Sequence, residues 1–177
     1  FEEKSGSIAE INFALINALQ AHDFEANLVL SSSRDHGLPT VKYPVLSEFN
    51  YALCHLNING KQYLLDASNK FTEFGMLPFH SLNKIARVMD YKNESFWVSV
   101  TPNPKNISYL RTKLSITDEN LFTGTAQETN IGYYALNARE RIHEDGQEKY
   151  LEKKKGRMKT GPLAGPREVV RGGKSGV

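Results

Sequence analysis

The fold is indicated most clearly by residues 7–21, SIAEINFALINALQA. Ser7 and Glu10 have the spacing of a capping box, in which the serine hydroxyl and the glutamate carboxylate satisfy free backbone N–H groups at a helix start. The apolar residues that follow recur at helical spacing: Ile8, Ile11, Leu15 and Leu19. Because further apolar residues widen this face, the stretch predicts a helix from about Ile8 to Ala21 that is buried on more than one side.

Strands are predicted directly after this helix. Leu28–Leu30 is a short apolar run, and residues 31–47 form a long polar loop of the kind that is often functional. Two further strands are predicted over Phe49–Ile58 and Gln62–Asp66. The Asn59-Gly60 pair between them is the commonest signal for a type I′ hairpin, so we expect these two strands to pair antiparallel.

The rest of the chain is predicted to contain a mixture of short elements. They are a short helix (Ser81–Met89), a strand (Phe96–Val100), a hairpin (Ile107–Ile116 with Leu121–Glu128) and a helix (Ile131–Tyr150). This order predicts an α+β fold. Residues 1–103 are expected to form a core in which a helix packs on an antiparallel sheet, and residues 104–150 a small β-β-α piece.

The charge of the chain is distributed unevenly. Its 177 residues have a net charge of +2, but residues 151–177 carry +6 and the first 150 residues carry −4. The last 27 residues contain six of the 13 glycines and no aromatic residue, so we expect a flexible basic tail. Such a tail is either a solvated segment or a basic arm for nucleic acid or anionic lipid. The lack of interleaved aromatic residues favours the solvated segment, and no nucleic-acid partner is expected.

Several classes of protein and site are excluded or disfavoured by composition. No run approaches 18 apolar residues, which excludes a membrane-spanning helix. The single cysteine, Cys54, allows no internal disulfide. It shares a strand face with apolar neighbours and is predicted to be buried, whereas the adjacent His55 points to the opposite face. No spacing of His, Cys, Asp or Glu suggests a metal site, and no cofactor is expected.

The beginning of the sequence suggests a fragment. The chain starts with Phe1 rather than Met, and its first residues lack the basic start and apolar stretch of a signal peptide. We therefore interpret it as a piece of a longer protein and expect that any localisation signal is missing from this piece.

Three segments in a fixed order are similar to a known superfamily. They are KSGSIAE (residues 4–10), EFNYA (residues 48–52) and YLLDAS (residues 63–68), with the loop SSSRDHG (residues 31–37) before the second. Together they resemble the transglutaminase-like superfamily, which has a papain-like fold, and in particular a bacterial branch in which the domain is part of a larger exported protein. The resemblance implies a periplasmic or cell-envelope location, and it implies that the residues after 104 begin a β-rich domain.

Members of this superfamily use a cysteine-type triad. The pattern is Gly-x-Cys at a helix start, a histidine at the start of a following strand and an aspartate near the end of the next. A cysteine at a helix N-terminus faces the positive end of the helix dipole, which lowers its pKa and favours the thiolate. The histidine shares the thiol proton, and the aspartate orients the histidine.

The triad positions fall on Ile8, Asn50 and Asp66 in this chain. Isoleucine has no nucleophilic atom, and asparagine is no base near neutral pH, although its amide could donate to Asp66. Alternatively, Asp66 caps the turn that follows it. The resemblance therefore implies a catalytically inactive domain that serves as a binding or scaffold module, with a peptide or protein in its groove. The alternative is an active peptidase, amidase or acyltransferase with a displaced nucleophile.

Arg34, Asp35 and His36 are the candidate binding residues of the long loop. A loop histidine beside charged neighbours can recognise an anion or move a proton. In the family this loop lies near the groove, which implies a role in binding. The alternative is that Arg34 and Asp35 hold the loop in place by hydrogen bonds.

Overall fold

A computed structural model describes residues 5–102, 105–119 and 122–158 and has an α+β architecture with helices and antiparallel strands. The described residues fall into two compact units, one ending at residue 102 and the other beginning at residue 105.

The first helix, α1, spans Ile8–Gln20 and begins as the capping box predicts. The Ser7 Oγ accepts a hydrogen bond from the Glu10 backbone N–H at 3.3 Å, and the Glu10 Oε2 accepts one from the Ser7 N–H at 2.7 Å. Hydrogen bonds from the Ser7 backbone and hydroxyl lower the pKa of Glu10. Both groups are therefore fully engaged in starting the helix, and the predicted helix is confirmed. The expectation that it is buried on more than one side is wrong, because only Asn12 and Ile16 are buried and Phe13 is 42% exposed, so the helix packs by one face.

Five strands follow and form one antiparallel sheet in the order β3-β2-β1-β4-β5. Their bounds are β1 Glu25–Ser31, β2 Tyr51–Ile58, β3 Lys61–Leu65, β4 Lys84–Met89 and β5 Phe96–Val100. The turn between β2 and β3 places Asn59 at φ 51° and Gly60 at φ 81°, as a type I′ hairpin requires. The prediction of this hairpin is confirmed.

The helix predicted over Ser81–Met89 is wrong. The chain forms a single 3₁₀ turn over Phe79–Ser81 and then strand β4. The physical reason is the two-residue alternation in β4: Ala86 and Val88 are fully buried, whereas the residues between them are not. Alternation of this kind is the pattern of a strand with one face in the core.

The two faces of the sheet are covered differently. Helix α1 packs on one face, over a cluster formed by Ile16, Ala26, Cys54, Leu56 and Leu65. The other face is lined by residues from the alternate positions, including Val29, Leu53 and Val88, which are fully buried. This second face is closed by the sheet itself, which curls until the ring of His55 on β2 lies 5.6 Å from that of Phe96 on β5.

The second unit contains a hairpin and two helices. Strands β6 (Ile107–Ile116) and β7 (Phe122–Ile131) pair antiparallel, and helices α2 (Tyr133–Asp145) and α3 (Gln147–Met158) follow. The single helix predicted over Ile131–Tyr150 is wrong, because Gly146 adopts φ 81° and ends α2. A positive φ is readily adopted only by glycine, which lacks a Cβ, so Gly146 allows the chain to leave the helix here.

The flexible tail predicted from residue 151 is wrong for residues 151–158, which are part of α3. Ion pairs contribute to the order of this segment: Lys153 lies 2.6 Å from Asp145, and Lys154 lies 2.7 Å from Glu128 on β7. The remainder of the predicted tail, residues 159–177, lies outside the described residues. Within the described ranges, no helix combines the length and apolarity needed to cross a bilayer.

Candidate functional site

Ile8 is the first residue of α1 and is 38% exposed. The superfamily resemblance implies that the degenerate nucleophile lies at this helix start. The nearest hydroxyl in the sequence, that of Ser7, lies 2.8 Å from the Glu10 carboxylate and acts as the helix cap. The helix start therefore presents an aliphatic side chain and a capping serine, neither of which can serve as an activated nucleophile.

Asp66 lies at the end of β3, only 8% exposed, at the centre of a hydrogen-bond network. Its Oδ2 accepts from the Tyr51 hydroxyl at 2.7 Å. Its Oδ1 accepts from the Asn12 Nδ2 at 3.1 Å and from the Ser68 backbone N–H at 2.8 Å. A buried carboxylate is tolerated because these donors replace the water that it has lost.

Asn12 is the residue that joins helix α1 to this network, and it is fully buried. Its Nδ2 donates to the Ala52 carbonyl oxygen at 2.9 Å as well as to Asp66, and its Oδ1 accepts from the Ala67 N–H at 2.8 Å. A single amide thus connects the helix to β2 and to the turn after β3. Sequence reasoning missed Asn12, although an asparagine on an otherwise apolar helix face was an available signal.

Tyr51 and His80 extend the network toward solvent. The His80 Nε2 lies 3.2 Å from the Tyr51 hydroxyl oxygen, and the two rings meet edge to face with centroids 5.2 Å apart. Burial, and then the hydrogen bond to Asp66, raise the pKa of Tyr51 far above its ordinary value. Tyr51 therefore stays protonated and donates to Asp66, so His80 must donate its Nε2–H to Tyr51.

Asn50 does not meet Asp66. Its Oδ1 accepts from the Ser33 N–H at 2.8 Å, and its Nδ2 donates to the Ser33 hydroxyl at 2.8 Å. Of the two alternatives for Asp66, the hydrogen bond with Asn50 is wrong, because the Asn50 amide is used to hold the loop after β1. The alternative, in which Asp66 caps its following turn, agrees with the bond from Ser68.

Arg34 lies in that loop and is held by the residues around His80. Its backbone N–H donates to the His80 carbonyl oxygen at 2.9 Å. Its guanidinium stacks 4.7 Å from the centre of the Phe79 ring and donates from Nη1 to the Leu82 carbonyl oxygen at 3.4 Å. The arginine side chain therefore stacks on Phe79, which remains 61% exposed beside it.

Asp35 and His36 are both exposed, and each contacts the chain locally. The hydrogen bond from the Ser33 side chain lowers the pKa of Asp35. The His36 Nε2 lies 3.0 Å from the Ser47 carbonyl oxygen, across the loop. These contacts correspond to the alternative in which the loop residues hold the loop in place, and they leave the Asp35 carboxylate facing solvent.

Cys54 is fully buried between α1 and the sheet, as predicted. Burial raises its pKa to about 12. Its Sγ contacts only the backbone oxygen of His55 among hydrogen-bond acceptors in the described residues, and the two side chains lie on opposite faces of β2. Cys54 has neither the exposure nor the basic partner that a nucleophilic cysteine needs.

The described residues contain no group of three His, Cys, Asp or Glu side chains that could hold a metal ion. Comparison with protein-family models, with curated proteins and with solved structures gave no match for this chain.

Proposed function

We propose that the first unit is a catalytically silent transglutaminase-like domain with a papain-like core, which serves as a binding or scaffold module of a larger bacterial envelope protein. The observation that supports it best is Ile8 at the first position of α1, where the superfamily has its nucleophile. The α+β architecture, with a helix packed on an antiparallel sheet, is compatible with this proposal.

The chain also has no reactive thiol away from the start of α1, which supports the proposed lack of catalytic activity. The chain has one cysteine, and Cys54 is enclosed in the core with its pKa raised to about 12. At neutral pH such a thiol is almost entirely protonated, and the protonated form is a poor nucleophile.

The polar groups near the helix start support a structural role in place of catalysis. Asp66 accepts from three donors, and Tyr51 is held protonated between Asp66 and His80. A carboxylate that is satisfied in this way fixes the helix against the sheet. In an active triad the corresponding carboxylate would instead orient a histidine beside the nucleophile.

The binding face that we propose surrounds His80. His80 and Asp35 are exposed there, and Arg34 stacks on the exposed Phe79 ring. Arginine and aromatic side chains are enriched among the residues that dominate protein interfaces. A peptide or protein segment with an acidic or aromatic residue is the partner that fits this combination.

Restoring the triad tests the proposal. In a Cys54→Ala background, Ile8→Cys is expected to give a thiol with a pKa below the ordinary value of about 8.5, because it faces the N-terminal end of α1. Adding Asn50→His is expected to lower that thiol pKa further, and to raise the rate of hydrolysis of p-nitrophenyl acetate at least tenfold over the single variant. Thiol pKa is measured from the pH dependence of iodoacetamide alkylation.

The matched control is Phe13→Cys in the same background, since Phe13 is 42% exposed in the second turn of the same helix. Equal thiol pKa values at positions 8 and 13, with no effect of Asn50→His, would contradict the triad assignment. Turnover of ester or amide substrates by the natural sequence, lost on Cys54→Ala, would instead contradict the silent state.

A second candidate is an active hydrolase with a displaced site, and the His80–Tyr51–Asp66 chain is the observation that favours it. An exposed histidine linked to a buried carboxylate resembles the base half of a catalytic site. This candidate predicts ester turnover by the natural sequence that is abolished in His80→Gln and retained in Cys54→Ala.

A further inference from the structure

We propose that the gap between strands β3 and β5 is a docking site for an extended peptide, which pairs with both strands and closes the curled sheet as its sixth strand. This site is separate from the surface around His80, and the proposal does not depend on the function proposed above.

The gap is a cavity of about 400 Å³. Residues 62–64 of β3 line one side of it, residues 96–99 of β5 line the other, and His55 of β2 completes the lining. Strands β3 and β5 stand at opposite ends of the sheet order, so they share a cavity only because the sheet curls. The volume falls in the range of about 300–1,000 Å³ that is typical of ligand sites.

The cavity adjoins the edges of the two strands. Side chains alternate between the faces of a strand, so a cavity lined only by one face would contact every second residue. Here it contacts every residue over 62–64 and over 96–99. Within the described residues no strand pairs with the outer side of β3 or of β5. Unpaired strand edges present rows of N–H and C=O groups, which are a template for another strand.

The strand directions determine which occupant fits. All neighbours in the sheet are antiparallel, so β3, β1 and β5 run in one direction, and β2 and β4 run in the other. The two edges that face each other are therefore parallel. An inserted strand that runs opposite to both of them forms antiparallel ladders on its two sides, and closure in this way removes both exposed edges.

His55 supplies an independent sign of a missing partner. It is 3% exposed, and within the described residues neither ring nitrogen makes a hydrogen bond of good geometry. Burial lowers the pKa of His55, while weak hydrogen bonding with the Gln62 side chain and the charges of Glu25 and Asp90 act in the opposite direction. The neutral ring therefore presents one donor and one acceptor. Buried polar groups are normally paired, and an inward hydroxyl or amide side chain of the inserted strand can satisfy this ring.

The test uses the full chain and a synthetic probe, an acetylated and amidated heptapeptide of sequence Lys-Thr-Val-Thr-Val-Thr-Lys. In an NMR titration, backbone amide shifts are expected for residues 62–64 and 96–99, with hydrogen exchange of some of these amides slowed at least tenfold. The amides of β1, which is paired on both sides, are expected to stay unchanged. The same peptide N-methylated at alternate residues is expected to bind at least tenfold more weakly.

His55→Phe is expected to weaken binding of the heptapeptide at least fivefold. The matched control, His22→Phe, changes an exposed histidine and is expected to leave this binding unchanged. If His55→Phe fails to fold, the comparison of the unmodified and N-methylated peptides on the natural sequence still tests the proposal. Three results would overturn the proposal: no shift at β3 and β5, equal binding of the N-methylated peptide, or the same shifts produced by N-methylacetamide alone, which would indicate a small-molecule pocket.

Discussion

Replacing Asn12 with alanine is expected to lower the free energy of unfolding by about 3 kcal/mol. The substitution removes the partner of three buried groups at once: the Ala52 carbonyl, the Asp66 carboxylate and the Ala67 N–H. Leaving a buried polar group unsatisfied costs roughly 1–3 kcal/mol, and more for a charged one, although relaxation and water entry reduce the sum. Urea denaturation of the two proteins, with the slope unchanged, measures this difference.

Asn17→Ala is the matched control for this experiment. Asn17 lies on the same helix and is exposed, so the change is expected to stay within about 0.5 kcal/mol of the natural sequence. Equal effects at positions 12 and 17 would show that the buried network contributes nothing beyond helix propensity.

Asn12→Asp gives the same network a dependence on pH. It places a second carboxylate beside Asp66, where Asn12 now donates at 3.1 Å. Repulsion and burial raise the carboxyl pKa in the folded state above that of the unfolded chain, so the folded state binds the proton more tightly. The stability lost at neutral pH is therefore expected to return partly as the pH falls through the raised pKa. Urea midpoints at pH 7 and pH 5 measure this, and a loss that grows on acidification, relative to Asn12→Ala, would contradict it.

Local signals in the sequence predicted local structure well. The capping box at Ser7 and the Asn59-Gly60 turn both depend on residues within four positions of one another, and both are found. The burial of Cys54 followed from the two-residue period of its strand. Strand β4 was mistaken for a helix because its mixed composition concealed the alternation, and pairing with β1, more than 50 residues earlier in the chain, decided it.

The candidate site was less predictable, because its contacts span long distances in sequence. Asn12 and Asp66 are 54 positions apart, and Tyr51 and His80 are 29 positions apart. No short motif contains these pairs. A hydrogen bond between Asn50 and Asp66 was one alternative because the resemblance places both at triad positions, but the Asn50 side chain is turned toward the Ser33 loop. Strand pairing gives the proximity of two backbones, whereas the direction of an amide depends on which donor it meets.

Cys54 is expected to react with iodoacetamide about a thousandfold more slowly in the native protein than in the urea-unfolded chain at pH 8. With its pKa raised to about 12, about 10⁻⁴ of the folded thiol is thiolate at that pH. An unfolded cysteine, with a pKa near 8.5, is about one-quarter thiolate. Enclosure between α1 and the sheet adds a steric barrier, so alkylation is expected to proceed through transient opening and to follow the population of open protein. The rate is measured by mass spectrometry of quenched samples.

The outcome bears directly on the silent state, because a catalytic thiol must be exposed and ionised in the folded protein. Phe13→Cys in the Cys54→Ala background provides an exposed reference thiol on α1, and it is expected to react at nearly the same rate in native buffer and in urea. Native labelling of Cys54 as fast as that of the reference would place a reactive thiolate in the fold and contradict the binding-module proposal. Slow labelling whose rate rises with added urea agrees with a thiol that acts only as a small apolar side chain. In that case Ile8 and Cys54 together explain the proposed lack of catalytic activity. The helix start has no nucleophile, and the one thiol of the chain is in the core.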